Sequence, residues 1–133
     1  MNMGNDTRSE GFDVIHAYTR AQAIEDGVLV DLSDLAREAG FRFPVAVTQG
    51  VWAVLNPTKE LESAGQDMNG RAWDMLTILR HGIRGASRTD EVHFAPLFLR
   101  ESVQEAEPVE MWAKCGPGDD GEPVITVMMP DED

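Results

Sequence analysis

Cysteine is nearly missing from this chain: Cys115 is the only one in 133 residues. A lone thiol excludes a disulfide within the chain and any zinc site built on cysteine pairs. Long apolar runs are missing too, and nothing approaches the roughly 18–20 continuous apolar residues that a membrane-spanning helix requires. The opening MNMGNDTRSEGFD carries neither a basic nor an apolar stretch, so no secretion signal is expected and the expected location is cytoplasmic. Positive charge is scarce: 11 Lys and Arg stand against 24 Asp and Glu, for a net charge of −13. Phosphate binding depends on clustered cations, so direct contact with nucleic acid is not expected. Catalytic signatures are also lacking. There is no GxSxG, no nucleotide-binding glycine loop and no HExxH, and no two of His16, His81 and His93 lie four residues apart. The reading therefore leans away from an enzyme, with no cofactor and no metal expected.

What is present suffices for a folded core. The apolar share of 42% is ordinary for a globular chain, and the length suits one domain. That domain is expected over residues 13–130, between a flexible segment at 1–12 and an acidic tail at 131–133. Charge is unevenly distributed. Residues 1–69 carry −6, residues 70–100 carry +2, and residues 101–133 carry −9 from ten acids and one lysine.

Local patterns place the elements. FDVIHAY reads as a short strand or extended lead-in. Thr19 with Gln22 forms a capping-box spacing and Gly27 a helix stop, so a helix is predicted over 19–26. Val28–Leu32 has strand composition, after which Ser33 is positioned to cap DLAREA, closed by Gly40. In FRFPVAVT, Phe41, Phe43, Val45 and Val47 alternate onto one face, while Pro44 points to an edge strand or an extended loop. Thr48 is positioned to cap QGVWAVL, which Asn56-Pro57 ends, and residues 57–69 read as a polar loop. Ala72, Leu76, Leu79 and Ile83 give a helical stripe over 70–83, widened by Trp73 and Met75.

Strands follow. EVHFAPLFLRE is broken by Pro96. In EPVEMWAKC, Val109, Met111, Ala113 and Cys115 share one face, which makes Cys115 an expected core residue; EPVITVMMP is its partner across a turn-rich GPGDDG. The fold class is α+β: short N-terminal helices and one longer central helix packed on a C-terminal antiparallel sheet containing a hairpin.

Three groups of residues are candidates for binding. Asp119, Asp120 and Glu122 form an acidic turn, whose spacing is not that of a calcium loop and which leads into a strand rather than a phosphate-binding helix. Arg80, Arg84 and Arg88 recur every four residues and would form one basic row, able to grip a carboxylate or phosphate. His16, Tyr18 and Arg20 form the most motif-like polar cluster, in which a carboxylate could orient His16 as a base. Trp112 shares its strand face with Glu110 and Lys114, which leaves a homodimer open.

Three blocks, YTRAQAIEDGVLVDLSDLAREAGFRFPVAVTQGVW, WDMLTILRHGIR and CGPGDDGEPVITVMMP, carry a resemblance covering roughly residues 13–130. Together they resemble a family of small bacterial proteins of unknown function, often encoded on plasmids, phages and other mobile elements. The resemblance implies a context and no catalytic residue. The functional expectation is a non-enzymatic acidic interaction protein, a mobile-element accessory or anti-defence factor that binds a basic, nucleic-acid-handling protein. The alternative is a small enzyme or ligand-binding domain around His16, Tyr18 and Arg20.

Overall fold

Polar caps decide where the first helices begin. In the computed structural model, which describes residues 18–85, 90–99 and 105–132, α1 spans Arg20–Glu25. Its capping box is complete: Thr19 accepts from the Gln22 amide, and the Gln22 side chain accepts from the Thr19 amide. Gly27 follows at φ +80°, the left-handed position expected of it. Thr48 caps α3 (Gln49–Leu55) by accepting from the Val51 amide. The helix between them, α2 (Ser33–Glu38), starts differently. Ser33 does not cap it; the Asp31 carboxylate accepts from the Ser33 amide at 3.0 Å instead, as in an Asx turn. Ser33 Oγ in turn accepts from the Val45 amide at 3.1 Å, joining α2 to the sheet.

The segment read as a polar loop contains a further helix, α4 (Lys59–Ser63), capped by Thr58 and anchored by the buried Leu61. The central helix α5 runs Met68–Gly85, slightly longer than its stripe suggested. Ala72, Met75, Leu76 and Leu79 are fully buried along it, whereas Trp73 and Ile83 are 41% and 38% exposed. Trp73 therefore lies outside the buried stripe.

The strands are β1 (Leu29–Asp31), β2 (Val45–Thr48), β3 (Glu91–Phe94), β4 (Leu97–Leu99), β5 (Ala106–Pro108), β6 (Met111–Pro117) and β7 (Pro123–Met128). Among the described residues they form a five-stranded sheet in the order β1-β2-β7-β6-β3 and a separate ribbon of β4 and β5. Pro96 does break its segment, sending β3 and β4 to different sheets. The hairpin β6–β7 pairs Trp112 with Met128 through to Pro117 with Pro123, as the alternation predicted.

The α+β class holds, with an addition the C-terminal pattern does not contain. Strand β2 lies inside the sheet, parallel to β7, with Val45 opposite Ile125 and Val47 opposite Val127. Pro44 therefore marks no edge. It precedes the first paired residue, and its carbonyl accepts from the Ile125 amide at 2.9 Å, so its missing N–H costs the ladder nothing. Register places Val30, Val47, Val127, Ala113 and Val92 in one row across all five strands, facing α2, α3 and α5. The opposite face carries the row Asp31, Ala46, Thr126, Lys114 and Glu91. At the acidic segment expected as a tail, residues Pro130–Glu132 form a 3-10 turn. There the Glu132 carboxylate accepts from Thr48 Oγ1 at 2.6 Å and lies over Gly50, against the first turn of α3. The flexible segment expected at 1–12 and the lead-in to Ala17 lie outside the described residues.

Candidate functional site

The acidic turn is held together by its own carboxylates. Gly118 donates to the Glu122 carbonyl at 2.6 Å, Gly121 donates to the Gly118 carbonyl at 3.0 Å, and Gly121 sits at φ +83°. The Glu122 carboxylate folds back to accept from the Asp120 amide at 3.0 Å. It lies so close to Gly118 that a Cβ there would come within 2.6 Å of it. Asp119 reaches across to α1, where its two oxygens accept from the amides of Arg20 at 2.8 Å and Ala21 at 3.0 Å. First-turn amides have no partner within their own helix, and an anion there also meets the positive end of the helix dipole. Those two amides, with the nearby Arg20 charge, hold the Asp119 carboxyl below its ordinary pKa. Asp120 alone of the three has no side-chain hydrogen bond among the described residues.

Arg20 completes the link from the other side. Its guanidinium donates to Thr126 Oγ1 at 2.6 Å and to the Ile125 carbonyl at 2.8 Å, lying flat on the open sheet face. Burial pushes its pKa below the usual value, opposed by Asp31, Asp119 and Glu122. Tyr18 turns elsewhere and donates to Asp26 Oδ2 at 2.6 Å, a bond that raises its pKa. The structure thus unites Arg20 with Asp119, and gives Tyr18 a different partner. His16 lies outside the described residues. A broad cleft of about 600 Å³ runs beside this cluster, with Tyr18, Arg20, Lys114 and Asp119 on its walls.

The tether predicts a pH dependence at single-residue resolution. A carboxyl whose folded pKa is lowered contributes fully above its unfolded value and loses that contribution as pH falls through the folded value. Amide exchange at Arg20 and Ala21, corrected for intrinsic rates, is expected to lose protection in the window below the ordinary aspartate value of about 4, as the lowered carboxyl takes up its proton. Asp119→Asn keeps one acceptor but no charge, and should show weakened protection near neutral pH with no further loss on acidification. Protection in the wild-type chain that stays level across that window would show that the amides are held by something other than the carboxylate.

A second constellation forms on the helix-facing side of the sheet, sharing Asp90, Lys114 and Cys115 with the cleft beside Asp119. Arg80 and Arg84, on the last turns of α5, meet Arg42 from the α2–β2 connection at the mouth of a cavity of about 350 Å³. Arg88 lies outside the described residues. The cavity lies between the C-terminal turns of α5, the α2–β2 connection and the paired Ile125 and Cys115 of the sheet. Cys115, expected in the core, is exposed there: its strand face points toward the helices, but no helix covers it. Phe41 and Phe43 precede β2 instead of belonging to it, and they wall the cavity. A depression of about 250 Å³ on the other flank of α5, with Trp73 and His81, also touches Arg80 and Arg84. Sequence reasoning found the two arginines of α5 and missed Arg42. Its FRF context reads as strand alternation, and only Pro44, by fixing where pairing begins, hints otherwise.

The family model of DUF6573, a family of unknown function, matches residues 5–133. The chain belongs to DUF6573. No curated protein and no solved structure matches it. For this DUF6573 member, no group of three or more His, Cys, Asp or Glu is arranged to hold a metal ion among the described residues. No described helix is long and apolar enough to cross a membrane. Trp112, the aromatic that raised the homodimer, is stacked within its own chain on His93, with ring centres 4.5 Å apart and planes 7° apart.

Proposed function

We propose that this DUF6573 chain is a non-enzymatic interaction protein that binds a basic partner through the acidic surface of its C-terminal third. One observation carries the reading. Glu105, Glu107, Glu110, Asp119, Asp120, Glu122, Asp131 and Glu132 are all exposed, and none takes part in a salt bridge among the described residues. Solvated, uncompensated carboxylates create a negative field that steers and holds cationic partners. Most cations of the described chain are placed elsewhere, with Arg71 inside the fold and Arg42, Arg80 and Arg84 around the cavity; Lys114, in this third, pairs with Glu91 at 3.6 Å, and Arg20 lies on the sheet beside Asp119. Three of the eight acids also hold backbone or hydroxyl donors, so the same charge serves the fold and the surface. The resemblance to mobile-element proteins supports a partner that itself handles nucleic acid, and with it an accessory or anti-defence role. The alternative site around Tyr18 and Arg20 is disfavoured because both side chains already donate within the chain.

The test is a pull-down from source-cell lysate with the wild-type chain and a Glu105→Gln/Glu107→Gln/Glu110→Gln variant. Captured basic proteins are expected to leave between about 0.1 and about 1 M salt, where the screening length falls from about 10 to about 3 Å. The variant should capture markedly less at the lower salt. Partners that persist unchanged at ~1 M salt, or bind the variant equally, would refute the acidic surface as the binding element.

A further inference from the structure

We infer that the cavity between α2, α5 and the sheet binds a small amphipathic carboxylate, apolar body inward and acid group at the arginine mouth. This site shares Asp90, Lys114 and Cys115 with the cleft beside Asp119, but it is lined by different arginines and does not depend on the reading of the acidic surface. Its volume of about 350 Å³ falls within the range of small-ligand sites, at the lower end. The interior is apolar: Ala113 and Ile125 form the floor, with Phe41, Phe43 and Ile83 as walls. Phe43 and Ile83 are 42% and 38% exposed, a cost in solvated apolar area that a ligand body would remove.

The charge at the mouth selects the head group. In a chain of net charge −13, three arginines converge on one opening, and Arg42, Arg80 and Arg84 have no hydrogen bond or ion pair among the described residues. Arg37, one turn away in sequence from this opening, does find a carboxylate, Asp34, at 2.5 Å. Guanidinium groups are suited to planar, bidentate oxyanions, and a carboxylate presents one. Asp90 on the same rim and the overall negative charge make a single-charged head more favourable than a dianionic phosphate. The Arg80 guanidinium occupies space that a glycine backbone leaves open. It lies over Gly40, which sits at φ +101°, and a Cβ there would come within 2.8 Å of the guanidinium carbon.

Cys115 supplies the readout, because it is the only thiol, is exposed, and lines this cavity. The experiment follows alkylation of the full chain by iodoacetamide, using mass spectrometry, in the presence of 4-phenylbutyrate or 4-phenylbutylamine. These share an apolar body and differ in the sign of the head group. Phenylbutyrate is expected to slow alkylation saturably, by about tenfold at ten times its dissociation constant, and the amine to leave it unchanged. In Arg80→Glu/Arg84→Glu, built at partly and fully exposed positions, the preference should invert, with the amine now protecting and the carboxylate not. An unfolded variant could not produce that inversion. Equal protection by both compounds, or by neither, would overturn the proposal. So would a thiol that reacts only in denaturant, because the cavity would then be closed to ligands.

Discussion

Replacing Arg71 by Ala is expected to cost about 3–5 kcal/mol of stability, with a fall in melting temperature on the order of 10 °C. Among the described residues Arg71 is the one charged side chain that is buried, at 3% exposure. It is placed where a helix ends without its own solution. Helix α3 stops at Leu55 because Asn56-Pro57 follows, and its last carbonyls have no amide to accept from. Arg71 supplies the donors: Nη2 to the Val54 carbonyl at 2.8 Å and Nε to the Leu55 carbonyl at 3.2 Å. Nη1 reaches the Leu99 carbonyl of β4 at 2.8 Å, and the guanidinium stacks over Phe98 at 4.6 Å. One fork thus joins α5, the end of α3 and the β4–β5 ribbon. Its removal leaves buried carbonyls without donors, at roughly 1–3 kcal/mol for each group left unsatisfied. Arg71→Met, which restores most of the bulk, should recover only part of the loss. Arg71→Lys should fall between, since a point ammonium cannot match a planar fork. Denaturant unfolding measures all three. A loss below about 1 kcal/mol for Arg71→Ala would mean that water replaces the donors without penalty.

Arg71 also shows where sequence reading stops. The caps at Thr19 and Thr48 were legible because donor and acceptor lie three residues apart. The β6–β7 hairpin was legible because alternation on both sides of a turn fixes register. Arg71 lies on a helix whose buried face is written in apolar residues, and nothing in its neighbourhood announces that the ends of α3 and β4 will need it. The parallel pairing of β2 with β7 is similarly silent, since Val45 and Ile125 meet across most of the chain. Helix α4 was missed because five residues with one buried Leu61 give no period to count. The acidic turn is legible as a turn and as a candidate binding group, but nothing in its spacing announces that the Asp119 oxygens accept the first amides of α1. The candidate site is half visible: Arg80 and Arg84 share a helix and a spacing, whereas Arg42 joins them from the α2–β2 connection and Cys115 from the sheet, through tertiary packing alone.

The second large effect is expected at Leu79, and its value lies in the comparison with Ile83. By period alone the two are equivalent, successive members of the same stripe on α5. Structure separates them. Leu79 is fully buried within the cluster that includes Val47, Ala113 and Val127, while Ile83 is 38% exposed at the cavity rim. Truncating a buried leucine removes its transfer energy and leaves a void the packed rows cannot collapse, so Leu79→Ala should cost about 2–5 kcal/mol. Ile83→Ala removes atoms that already face open space and should cost less than about 1 kcal/mol. Both follow from one equilibrium unfolding experiment on matched variants. Comparable losses at the two positions would mean that Ile83 is as enclosed in solution as Leu79, and hence that the end of the sheet is covered. A clear difference leaves the helix layer ending between them, where it uncovers Cys115 and the arginines converge.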